Sequence, residues 1–130
     1  MSAESDGHLF AHEKLRVWQD ARVLIGKVYE MTRKLPKSET FGLASQLNRA
    51  AVSVACNIAE GNARTSSKDQ AHFSQLAFSS LMETDCLITV CGDLGFTSHV
   101  DAAYLRGLVQ ARSRQINSLR QTQLARYAQH

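Results

Sequence analysis

Apolar residues in this chain recur at three- and four-residue spacing through four successive blocks, and almost no stretch alternates with the period of two that a strand requires. Such a pattern restricts the fold to helices that each bury one stripe. It is clearest in FGLASQLNRAAVSVACNIAEGNAR, from Phe41 to Arg64. There Leu43, Leu47, Ala50, Ala51, Val54 and Ile58 share a face, while Arg49 and Glu60 project from the opposite side. Gly61 and Asn62 tolerate left-handed backbone, so this helix is expected to end near Glu60.

In the preceding block Val17, Ala21, Leu24, Val28, Met31 and Leu35 keep an alternating four-three spacing, widened by Trp18 and Ile25. Pro36, the only proline, disfavours helical geometry at Leu35 and places the end of this helix at about Lys34. Arg33 and Lys34 there suit the negative end of the helix dipole. The third block opens with Ser67-Lys68-Asp69-Gln70, read as a capping box between Ser67 and Gln70. Its stripe is Phe73, Leu76, Ala77, Leu81, Thr84, Leu87, Ile88, Cys91 and Leu94, with Ser80 as a polar interruption. Gly95 is placed as its cap, and Ser98 to Asp101 repeats the capping logic ahead of a fourth helix carrying Leu105, Val109, Ile116 and Leu119. From Gln121 to His130 the fourth helix turns polar and is expected to fray.

Four amphipathic helices with short links predict an all-α fold, an antiparallel up-down-up-down four-helix bundle over residues 11–130 preceded by a flexible tail over 1–10. At 130 residues, 44% of them hydrophobic, the chain has the size and composition of one domain with its own core. The first dozen residues hold no apolar stretch of signal-peptide length, and no run reaches the roughly 18 apolar residues of a membrane span. A cytoplasmic protein without membrane contact is the expectation. Cys56, Cys86 and Cys91 form no CxxC pair and are read as reduced, partly buried helical thiols.

The segment from Phe41 to Arg64, with Leu15-Arg16-Val17-Trp18-Gln19 upstream and Leu94-Gly95-Phe96 downstream, resembles a bacterial four-helix-bundle family. That family is named after proteins encoded in intervening sequences of large-subunit ribosomal RNA genes and includes the accessory variability protein of diversity-generating retroelements. The resemblance implies the same fold and assembly into ring-like homopentamers. It also implies an accessory role with RNA or DNA, with a reverse transcriptase as a candidate partner, but no established activity for most members.

Several residues stand outside the core pattern. Phe78, Met82 and Cys86 form a second apolar row on the third helix, read either as an oligomer interface or as the edge of a wide core face. Arg112 interrupts the apolar stripe of the fourth helix and needs a carboxylate, with Glu60, Glu83 and Asp85 as candidate partners in a structural ion pair, or a place at a subunit boundary. After Asp101 no carboxylate side chain follows, and Arg106, Arg114 and Arg120 fall within one side of the fourth helix. Together with Arg49, Arg64 and Lys68 they are the candidate nucleic-acid contacts; the alternative is a set of cations that only solvate the surface. The net charge of +3 is compatible with either reading.

Catalytic chemistry has no support in the pattern. The five histidines form no HExxH pair, no Glu-x-x-His motif of a di-iron bundle occurs, and no Gly-rich phosphate loop or serine-histidine-acid set stands out. His8 and His12 have i, i+4 spacing but lack a further ligand. No catalytic residue, metal or cofactor is assigned. Two functions follow: an oligomeric nucleic-acid-binding accessory protein, or a protein-binding scaffold without a nucleic-acid role.

Overall fold

The structure is a computed structural model that describes residues 7–129. Four helices carry the fold: α1 (Arg16–Thr32), α2 (Leu43–Asn62), α3 (Ser67–Asp93) and α4 (His99–Ala128). Short 3-10 turns, Ala11–Lys14 and Lys37–Glu39, precede α1 and α2. The tail expected over residues 1–10 lies mostly outside the described residues, and Gly7 to Phe10 lead directly into the first 3-10 turn.

Neighbouring helices run in opposite directions, as their side-chain pairs show. Ser53 of α2 shares a 2.9 Å hydrogen bond with Ser80 of α3, and further along α2 Gly61 meets the earlier Phe73. Asp85 and Ser74 of α3 face Arg106 and Gln123 of α4 in the same reversed order. Helix α1 packs on both α2 and α4, which closes an up-down-up-down four-helix bundle.

The stripes predicted from spacing form the core. Leu24, Leu47, Leu81, Ile88 and Ile116 are fully buried, with Val28, Val54 and Val109 beside them. Each of the larger side chains contributes roughly 1.5–3 kcal/mol of burial. Trp18, Ile25, Leu43 and Leu119 pack against this core from its margins. On α3 the stripe is narrower than its sequence suggests, because Leu76 is 37% and Leu94 56% exposed.

Helix ends follow local chemistry with three corrections. Helix α3 is capped by Ser66 rather than Ser67: Ser66 Oγ accepts from the Asp69 amide at 3.1 Å, while the Gln70 side chain donates to the Arg64 carbonyl at 2.8 Å. Helix α2 does not stop at Glu60. It runs through Gly61 and Asn62 with no left-handed residue. Gly61 serves a different need, since a Cβ there would lie 2.9 Å from the Cβ of Phe73 and force α2 and α3 apart. Helix α4 stays helical to Ala128 where fraying was expected, because Gln123 is buried and accepts a 2.7 Å hydrogen bond from Ser74.

Other ends match the reading more closely. Gly95 has φ +78° after α3, and Phe96 donates its amide back to the Cys91 carbonyl at 2.9 Å. Ser98 accepts from the Asp101 amide at 3.0 Å and caps α4. Helix α1 ends at Thr32, two residues before the expected Lys34, and Pro36 precedes the following 3-10 turn.

Candidate functional site

One polar pair or network joins each pair of neighbouring helices. Thr32 donates to Asn48 at 2.9 Å between α1 and α2, Ser53 pairs with Ser80 between α2 and α3, and Ser74 with Gln123 between α3 and α4. Between α1 and α4 the network is ionic. Arg112 lies 3.8 Å from Asp20, donates to Gln115 at 2.6 Å, and Gln115 donates to Asp20 at 2.8 Å. The partner of Arg112 is therefore Asp20, not Glu60, Glu83 or Asp85, because Arg112 points into the seam with α1. Glu60 and Glu83 are exposed, and Asp85 is taken by Arg106.

Asp20 is held below its ordinary carboxylate value. The Gln115 hydrogen bond is the largest cause, Arg112 and Arg16 add to it, and burial opposes it. At Cys91 burial pushes the thiol up, with a smaller push from Glu39. Cys56 and Cys86 are exposed free thiols, which departs from the partly buried state expected for all three.

The six candidate nucleic-acid contacts fall into different settings. Arg106 donates through Nε and Nη2 to both Asp85 oxygens at 3.0 and 3.3 Å, so its charge is already matched. Arg120 is half-buried, and its Nε is buried without a hydrogen-bond partner among the described residues. Arg114 is exposed, so the trio on α4 does not form one free patch. Arg49 lines a groove on the α2–α3 face with Gln46, Ser53 and Glu83. Arg64 and Lys68 are exposed at the α2–α3 link, where the Arg64 guanidinium lies 4.6 Å above the Phe73 ring.

A different grouping emerges from helix direction. The Ser74–Gln123 bond aligns the start of α3 with the end of α4, so Arg64, Lys68 and Arg126 share one pole of the bundle, with Arg114 more than three turns inward from Arg126, near the middle of α4. Arg64, Lys68, Arg114 and Arg126 are all exposed and make no ion pair among the described residues. Glu60 and Asp69 are the carboxylates on the same stretches, and Glu13 and Asp20 lie around the start of α1 at this pole beside Lys14, Arg16 and Arg22. At the other pole Lys27, Arg33, Lys34 and Lys37 are equalled in number by Glu30, Glu39, Asp93 and Asp101, and among the described residues only Lys27 and Glu30 form an ion pair there. The molecule is therefore polarised along its axis. Arg126 belongs to the basic pole although its helical phase separates it from Arg106, Arg114 and Arg120, and the signal that finds it is helix register rather than helix face.

Of the second apolar row, Phe78 packs against the core, while Met82 is 39% exposed and Cys86 is exposed. Met82 borders a groove between α3 and α4 whose wall includes Asp85, Arg106 and Gly107. Among the described residues no group of three His, Cys, Asp or Glu side chains is placed to hold a metal ion, and no helix is long and apolar enough to cross a membrane.

The model of a family described as 23S rRNA-intervening sequence protein matches residues 13–118. The chain belongs to this family. The match takes in Arg64, Lys68 and Arg114 and ends before Arg120 and Arg126. A crystal structure of a protein of unknown function from the S23 ribosomal protein family of Bacteroides thetaiotaomicron has the same fold. Its TM-score is 0.74 at 14% identity, over 79% of this chain and 96% of that one. A search of the curated proteins finds no match.

Proposed function

We propose that the protein is a non-enzymatic, cytoplasmic nucleic-acid-binding bundle that works as a cyclic homo-oligomer, with five copies as the expected number. The observation that carries this reading is the basic pole, where Arg64, Lys68 and Arg126 are exposed and form no ion pair among the described residues, together with the equally unpaired Arg114 further along α4. Phosphate recognition needs charges of this kind, since a cation committed to an intramolecular pair must break that pair before it displaces counterions. Arg106 is committed in this way to Asp85 and is not among the proposed contacts. Rotational symmetry would repeat the pole once per subunit and turn a few weak contacts into a multivalent surface. An accessory role beside a reverse transcriptase and its RNA is the biological setting that the family resemblance suggests, and the gene neighbourhood decides it.

The experiment is fluorescence anisotropy with labelled RNA and DNA, comparing wild type with Arg64, Lys68, Arg114 and Arg126 changed together to Gln. Binding at low salt that the fourfold change abolishes supports the reading. Light scattering tests the assembly: a mass several times that of one chain is expected, reduced by Met82→Glu, and a monomer at micromolar concentration contradicts it. The second reading, a protein-binding scaffold, draws on the exposed Met82 and Cys86 of α3. It is preferred if the intact oligomer binds no nucleic acid.

A further inference from the structure

We infer that the basic pole selects single-stranded nucleic acid, holding unpaired bases by stacking as well as phosphates by charge. This rests on the phosphate-binding reading above and adds to it the form of the ligand. At this pole exposed planar groups stand beside the unpaired cations. Phe10 is 65% exposed and its ring is parallel to that of His12, at 6.2 Å between centroids. His12 meets the edge of Trp18 at 4.9 Å, and the Arg22 guanidinium covers Trp18 at 4.9 Å. The 3-10 turn that holds Phe10 and His12 near this end packs on both α1 and α2.

Across the pole the Arg64 guanidinium lies over Phe73, and Tyr127 is 50% exposed in the last turn of α4. A guanidinium over a ring at an exposed site stays within reach of a base or a phosphate, and Arg64 is exposed. Exposed rings and free cations at one end form the combination that tracks a single strand, because every base has a π-face whereas the bases of a duplex are already stacked on each other. The opposite pole also exposes rings, Phe41 and Tyr104, but there the cations are equalled in number by acids, so the local net charge is near zero.

The test compares four labelled ligands of equal length at one low salt concentration: single-stranded RNA, single-stranded DNA, duplex DNA and an abasic DNA strand. The proteins are wild type, Phe10→Ala with Tyr127→Ala, and Phe41→Ala with Tyr104→Ala. All four rings are at least half exposed, so their loss leaves the core in place, and thermal melting verifies it. Wild type should prefer base-bearing single strands over the abasic strand and the duplex, by on the order of tenfold per base–ring stack. The Phe10 and Tyr127 pair should reduce that preference, and the Phe41 and Tyr104 pair should retain it. Equal binding of base-bearing and abasic strands overturns the inference and leaves the phosphate reading standing. A preference that survives loss of Phe10 and Tyr127 overturns it as well. No binding of any ligand removes both.

Discussion

Gly61 of α2 packs so closely on Phe73 of α3 that the two backbones have no room for one more methyl group between them, the Cβ–Cβ distance for an alanine being 2.9 Å. The same Phe73 ring carries Arg64, so the contact that sets the α2–α3 spacing also fixes a cation at the basic pole.

Gly61→Ala measures that contact. Replacing glycine by alanine stabilises a helix interior by about 1 kcal/mol, and the gain is smaller in the last turn, where Gly61 lies. Overpacking against Phe73 costs typically 1–3 kcal/mol. The expected net result is a lower melting temperature, and Gly26→Ala, where a Cβ meets nothing within 4 Å, should raise it. Thermal unfolding by circular dichroism compares the two.

The Asp20–Arg112 network predicts both a mutational and a pH effect. The side chain of Arg112 is 14% and that of Asp20 23% exposed, so Arg112→Ala should cost about 1–2 kcal/mol by removing the buried side of the network, while Asp20 keeps Gln115 and the exposed Arg16. Arg112→Leu should be milder because it restores packing. The Asp20 carboxyl is held below its ordinary value of 3.8 in the folded protein, so its contribution is complete above that value and is lost as the pH falls below about 4 through the lowered one. Asp20→Asn should flatten that acid limb in melting curves taken from pH 7 down to pH 3.

Thiol chemistry gives an independent measure of the packing. A thiol reagent at neutral pH should modify Cys56 and Cys86 in the folded protein and reach Cys91 only on unfolding, since Cys91 is buried and its thiol is pushed up. Counting modified thiols by mass spectrometry with and without denaturant checks this. Rapid labelling of all three in the native state would contradict the core placement of α3.

The core was legible because one period governs it: Leu47, Val54, Leu81, Ile88 and Ile116 repeat as a helix repeats, and each is buried. Gly61 was misread because a glycine that ends a helix and a glycine that lets two helices touch look the same in a single sequence. The partner of Arg112 was out of reach for a different reason. Asp20 is joined through Gln115, 95 residues away along the chain, and only the register of α4 against α1 brings them together. Gln123 fell in the polar stretch expected to fray, yet it and Ser74 satisfy each other inside the bundle, a pairing that depends on the register of α3 against α4. The basic pole was half legible, as Arg64, Lys68 and Arg114 stood out by charge while the pairing of Arg106 with Asp85 depended on helix packing.

The central claim is tested most directly by the salt dependence of nucleic-acid binding. For single strands the slope of log affinity against log salt is about −0.7 per phosphate neutralised. Wild type is expected to show a steep negative slope, and changing Arg64, Lys68, Arg114 and Arg126 to Gln should make it shallower by about 0.7 for each cation that contacts a phosphate. An affinity indifferent to salt, or a slope that the four changes leave unaltered, would contradict the account.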